Sequence, residues 1–415
     1  MAAADVASFL SPAYWHSLAP WLHVDGSLLL ASPSPYAVNT PQEVLQPPPS
    51  ARASLVSHGV TRCPTGSLWG VARGGQRLLW DGLAAAVTAL SEAGHPASCL
   101  LAYDEVWLLQ SLLSDVICTT SGGNVPIGDF FVFNVRGGEA GWPPHRDRPM
   151  AAQDGEALTA AGAIADSFRA DGTPRYTTAW VALSDATPEA STLYFIPRAF
   201  DPGYHRGDTV GTSPLAAALT SPEAHQRIIG LPVPRGSLLL FSHRVLHWGS
   251  APLDGGAGGA DPAPRIALSF ACADPTWERP YLKRWNVDVD SGSGVEDGGG
   301  DWNGPYPPHD VRMGLVAAQG LNYHHQSPLS NERAALYVDI FQRTHDAFDP
   351  AYASRTLGVA QWARFGAAWA DKGKGTPQRR PIAEDVALLF CAFAAAQEGW
   401  DASSYVDGNF GGTNE

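Results

Sequence analysis

The chain has 415 residues, 45% of them hydrophobic and fourteen of them tryptophan, enough to build one large core or two domains. A formal net charge of −14 repels phosphate backbones and disfavours nucleic acid as the main partner. The five cysteines, Cys63, Cys99, Cys118, Cys272 and Cys391, are scattered and form no CxxC pair. That argues against a disulfide framework or zinc ribbon and favours a reducing compartment. The longest nearly apolar run, Val386–Ala396, is eleven residues, whereas a membrane span needs about 20. The N-terminus lacks the basic start and apolar block of a signal peptide. A soluble, cytoplasmic protein is expected, with organellar targeting left open and the oligomeric state unread.

Residues 1–53, punctuated by "SPSPY" and "QPPPS", read as an irregular arm. "SLVSHGVTRCPTG" (54–66) reads as a short strand and turn. Leu79, Leu83, Val87 and Leu90 recur at helical spacing, with Gly94 where a C-cap belongs. A second helix is expected over Asp104–Cys118. The texture then changes to strands: 128–136, 176–187, 191–200, 236–250 and 265–274, the rhythm of a sandwich or small barrel. Two insertions, 148–175 and 201–235, exceed ordinary loop length and read as covers over the barrel mouth. "DVDSGSGVEDGGGDWNG" (288–304) reads as a solvated linker, because Ser293 and Gly299 stand where a calcium loop needs Gly and Glu. Helical spacing returns in Tyr337, Ile340, Phe341, Thr344 and Phe348, and helices are expected to about residue 398. The expected domains are 54–275 for the β-rich body with its buttressing helices, 276–310 for a Gly/Asp-rich linker and 311–415 for a helical extension.

The stretch "GWPPHRDRPM" (141–150) carries the chemistry. In an extended chain residues i and i+2 share a side, so His145 and Asp147 aim at one point while Arg146 faces away. An imidazole and a carboxylate converging in this way begin a metal site if a second histidine arrives from another strand. "GSLLLFSHRVLHWGS" offers His243 and His247. They share strand parity, so alternation does not choose between them. In "RIALSF", Arg265 alternates with apolar Ile266, Leu268 and Phe270 and shares a face with Ala267 and Ser269. An arginine on the small-residue face of an apolar strand needs a buried anion, and its fork suits a carboxylate.

The H-x-D of "PPHRD", the segment "WVALSDAT…TLYFIPRAF", and "GSLLLFSHRVLHWGS" followed by "RIALSF" resemble the phytanoyl-CoA dioxygenase-like (PhyH) branch of the Fe(II)/2-oxoglutarate oxygenases. The resemblance covers roughly residues 55–275. It implies a mainly β fold with flanking helices, built on a double-stranded β-helix (jelly roll, cupin-type) core. It also selects His247, eleven residues after Gly236 and six after Phe241, as the distal ligand. Iron would be held by His145, Asp147 and His247, and the far carboxylate of 2-oxoglutarate by Arg265. Ser269 would add a hydroxyl, Trp180 would line the co-substrate pocket, and Asn134 would reach a carboxylate oxygen unless it serves a turn. Two departures stand out: a Gly-rich insertion, "APLDGGAGGADPAP", lengthens the approach to Arg265, and Gly249 replaces a small polar residue. The implied reaction is hydroxylation of a small-molecule or lipid-type substrate with O2, releasing succinate and CO2. Asp147 favours hydroxylation over halogenation, which needs that ligand position for halide. The alternative is a metal-binding jelly roll without oxygenase activity, either an isomerase or lyase or a non-catalytic binding module.

Overall fold

The computed structural model describes residues 5–30, 47–63, 79–148, 151–152, 164–209, 212–253, 263–283, 306–324 and 329–359. The segments "DKGKGTPQRRP" and Val386–Ala396, the 288–304 linker and most of 148–163 lie outside these residues. Two compact units emerge, Pro12–Pro308 and a second made of Met1–Ser11 with His309–Glu415.

The larger unit begins with short helices, following α1 (Val6–Phe9) of the other unit: α2 (Pro12–Leu18), α3 (Ser27–Leu30) and α4 (Ala51–His58). Strand β1 (Val60–Cys63) and the longer helices α5 (Leu79–Glu92) and α6 (Asp104–Ser121) come next. The strands are then β2 (Val125–Val135), β3 (Ala151–Ala152), β4 (Tyr176–Ala182), β5 (Leu193–Ile196) and β6 (Asp208–Thr209). After α7 (Pro214–Ala218) come β7 (Ile229–Leu231), β8 (Leu238–Ser242), β9 (Leu246–Gly249) and β10 (Arg265–Ala273). The smaller unit adds α8 (His309–Asn322) and α9 (Asn331–Thr344). There Tyr337, Val338, Ile340 and Phe341 are buried, and Phe9 meets Tyr337 edge to face at 5.8 Å.

The β-strands form a five-stranded sheet, β1-β8-β4-β10-β2, and a three-stranded sheet, β7-β5-β9, with antiparallel pairs throughout. Two facing antiparallel sheets match the sandwich rhythm of the strands and the jelly roll that the resemblance implied. Its interior is filled from the first sheet by Val60, Trp180, Leu239, Phe241 and Ala267, and from the second by Leu193 and Phe195. The opposite face of the first sheet packs under the helices: Phe270 pairs with Phe130, whose ring meets Trp107 of α6 at 5.5 Å. Strand β10 is therefore buried along its whole length, so it has no solvent-facing polar side, and its two polar residues, Arg265 and Ser269, are themselves buried. The short pair β3–β6 joins the two long insertions.

Three expectations change. The segment 54–66 is not strand and turn from its start. It opens as α4, stopped by Gly59 at φ +82°, whose N–H reaches Leu55 O, and only then becomes β1. The arm 1–53 is not irregular in its described parts. Asp104 accepts from Gly26 N at 3.0 Å and Leu28 N at 2.8 Å, and Glu105 accepts from His23 N at 3.0 Å. These two carboxylates open α6, where the helix dipole favours them, and they hold a segment about 80 residues away. Finally, 236–250 is two strands in different sheets, separated by a tight turn closed by Val245 N to Ser242 O.

That turn contains His243, fully buried with Nδ1 2.9 Å from Tyr176 O and Nε2 2.9 Å from Ser167 Oγ. Burial pulls its imidazole down to about 3. The unfolded chain, with an ordinary histidine near 6.5, takes up a proton that the folded chain refuses. Stability is therefore complete above about pH 6.5 and is lost as pH falls toward the folded value. Between about pH 6.5 and 5 the loss is expected to be about 2 kcal/mol, at about 1.4 kcal/mol per unit. Urea unfolding of the wild type and His243→Asn at both pH values should show the smaller pH slope in the variant. Equal slopes would remove His243 from the acid response.

Candidate active site

The segment 142–148 runs antiparallel beside β9. His145 and His247 exchange both backbone bonds, N to O at 2.9 Å and 3.0 Å, and Gly249 N bonds Trp142 O at 3.1 Å. Directly opposed residues of an antiparallel pair project to one face. The register thus brings His247 to His145, their rings 4.3 Å apart, and alternation brings Asp147 to the same face. Asp147 Oδ1 lies 3.4 Å from His145 Nε2 and 3.6 Å from His247 Nε2. The three donor atoms lie within 4.8 Å of one another.

The donor chemistry fits a divalent metal such as iron. In each histidine Nδ1 is taken by a carbonyl two residues upstream: Pro143 O at 2.8 Å for His145 and Val245 O at 3.1 Å for His247. A carbonyl only accepts, so Nδ1 carries the proton and Nε2 presents a lone pair toward Asp147. Burial opposes the charge on Asp147, but His247, His145 and the Thr178 hydroxyl outweigh it and hold the carboxyl at about 2. Burial lowers His247 to about 4. For His145 burial also disfavours the charged form, but Asp147 and the Pro143 carbonyl prevail and the net shift is upward. At neutral pH Asp147 is therefore anionic and His247 neutral, the states that metal ligation requires. Two imidazoles and one carboxylate on one face match the donor set of the facial triad of non-haem iron sites.

Thr178 escaped the sequence reading. Its hydroxyl donates to Asp147 Oδ2 and leaves Oδ1 toward the histidines. The signal was available, because Thr178 shares parity with Trp180 on β4. Arg146 does face away, as alternation required. Its guanidinium, almost fully buried, pairs with Asp201 (2.5 and 2.7 Å) and Asp208 (2.7 and 2.8 Å) and also donates to Arg244 O. The start of the 201–235 insertion is thereby fastened to the back of the ligand segment. Those partners, some 55 and 62 residues distant, leave no local trace. His243 sits apart from the triad, in the turn already described.

Arg265 is 1% exposed and has no carboxylate partner among the described residues. Burial alone lowers its guanidinium to about 10, so it stays charged at neutral pH. Its faces are covered by Phe133 and Trp180, each ring centroid 5.6 Å away. Ser269 lies directly opposite Trp180, on the same inward face as Arg265. A Cβ at Gly249 would come within 3.1 Å of Arg265 Nη2. Glycine there lets the guanidinium lie against β9, two residues from His247, or about 7 Å along the strand. The Trp180 indole N–H is buried without a hydrogen-bond partner among the described residues. Asn134 differs: the register pairs it with Ile266, whose face is opposite that of Arg265. A single strand's parity does not tell which face of a sheet is inside.

The sequence model of the phytanoyl-CoA dioxygenase (PhyH) family matches residues 75–252. A search of curated proteins found no match. Among solved structures, the chain is similar to the non-heme alpha ketoglutarate dependent carbocyclase SnoK from nogalamycin biosynthesis. The identity is 14% over 63% of this chain and 96% of that one, with a TM-score of 0.39. It is also similar to the epimerase SnoN, crystallised with Fe3+, alpha ketoglutarate and nogalamycin RO, at 19% identity over 55% and 83% of the two chains, TM-score 0.37. EctD from S. alaskensis, with 2-oxoglutarate and 5-hydroxyectoine, is 13% identical over 57% and 79%, TM-score 0.36. No helix among the described residues is long and apolar enough to cross a membrane. The matched span 75–252 contains all three donors of the candidate metal site, His145, Asp147 and His247.

Proposed function

We propose that this enzyme hydroxylates a small-molecule or lipid-type substrate, consuming O2 and 2-oxoglutarate and releasing succinate and CO2. One oxygen atom enters the new hydroxyl and the other enters succinate. The observation that carries this reading is the pair of Nε2 lone pairs converging on one oxygen of an ionised Asp147. His145, Asp147 and His247 would hold iron through one face and leave the remaining positions to co-substrate and oxygen. When bound, iron supplies the activation of dioxygen; the chain supplies orientation and exclusion of water. Phe195 and Phe241 press on the His247 ring at 5.7 and 4.6 Å and keep that side dry. Thr178 fixes which carboxylate oxygen of Asp147 is offered.

Arg265 would receive the distal carboxylate of 2-oxoglutarate, with Ser269 further along the same strand face and Trp180 closing one face of the guanidinium. Succinate release from protein supplied with Fe(II), 2-oxoglutarate and O2 is the primary test. Release no greater than a metal-free control would favour a metal-binding jelly roll without oxygenase activity. Arg265→Lys keeps the charge and loses the fork. Hydrogen bonds to charged groups are worth about 1.5–3 kcal/mol, so the variant should need about tenfold more 2-oxoglutarate or beyond. An unchanged requirement would place the clamp elsewhere.

A further inference from the structure

Ser191 has a backbone φ of +96°, a left-handed conformation that a side chain rarely adopts. It is fully buried, so the conformation is imposed by its surroundings. Its hydroxyl donates to Ser250 O at 2.6 Å, just past β9. The next residue is stitched to the same place, with Thr192 N to Ser250 Oγ and Ser250 N to Thr192 O, both at 3.0 Å. The hydroxyl oxygen in turn accepts from Arg265 Nε and Nη2, both at 3.3 Å. It is the one hydrogen-bond partner of that guanidinium among the described residues. A glycine would meet the backbone requirement without strain, yet it would leave the arginine without this contact.

We infer that Ser191 is a positioning residue for Arg265: it engages the Nε/Nη2 edge of the guanidinium and leaves the Nη1 side to receive a carboxylate. The inference rests on the clamp reading of Arg265 given above. A fork aimed by one neutral acceptor keeps its full charge for the incoming anion, whereas a carboxylate at that position would compete with it. The strained backbone is the local cost of placing a hydroxyl there, and the Ser250 carbonyl holds the hydroxyl in its rotamer.

Two substitutions separate this role from simple packing. Ser191→Gly relieves the backbone and removes the hydroxyl, while Ser191→Ala keeps the strain and removes the hydroxyl. The melting temperature is expected to stay or rise in the first and to fall in the second. The dissociation constant for 2-oxoglutarate, measured by calorimetry on metal-loaded protein without oxygen, should rise about five- to tenfold in both. A purely structural role predicts affinity that follows stability. Ser191→Gly binding 2-oxoglutarate within twofold of wild type, while Arg265→Lys weakens it, overturns the positioning role alone. Wild-type affinity in Arg265→Lys overturns the clamp and this inference with it.

Discussion

His247→Ala and His145→Ala are each expected to abolish stoichiometric Fe(II) binding and succinate release. The loss of an outer-shell partner alone costs metal sites about 10–100-fold in affinity, so removal of a ligand should cost at least about 100-fold. The fold should survive. The pairing of 142–148 with β9 runs through backbone atoms of His145 and His247, which alanine retains. The His247 truncation leaves a cavity beside Phe195 and Phe241, and a modest fall in melting temperature is expected from it. Anaerobic calorimetry gives the stoichiometry, and circular dichroism checks the fold. Unchanged iron binding in both variants would refute the triad. Thr178→Val serves as a graded companion: it keeps the ligands and frees the Asp147 carboxylate to rotate.

Arg146→Ala should be the most destabilising change on the back of the site. The guanidinium neutralises Asp201, which is fully buried, and Asp208, which is mostly so. Removing one partner of a buried pair leaves an uncompensated charge and costs about 3–5 kcal/mol. Arg146→Lys retains one charge but not the fork that serves two carboxylates at once, so it should recover only part of the loss. Because Arg146 lies between two ligands, iron affinity should fall with it even under conditions where the protein remains folded. Denaturant unfolding with a parallel iron titration reads both effects. A loss below about 1 kcal/mol, the value of a surface ion pair, would show that the clamp contributes little.

The i, i+2 spacing of His145 and Asp147, the outward turn of Arg146, the apolar run of β10 and the inward Arg265 were all legible in the sequence. Each follows from period-two alternation, which is a local property of an extended chain. The same rule is silent on what crosses between strands. It placed His243 and His247 on one strand, but the chain turns at 242–245, leaving His243 in the turn and only His247 on β9. It left the face of Asn134 undecided until the β2–β10 register set it against Ile266. Arg146 finding Asp201 and Asp208, Asp104 and Glu105 holding the N-terminal segment, and Ser191 held left-handed under Arg265 all join residues some 55 to 82 positions apart. The sequence by itself determined which residues could face one another along a strand. The tertiary structure decided which strands met and in what register, because hydrogen-bonded register and buried charge pairing depend on residues that chain distance does not relate.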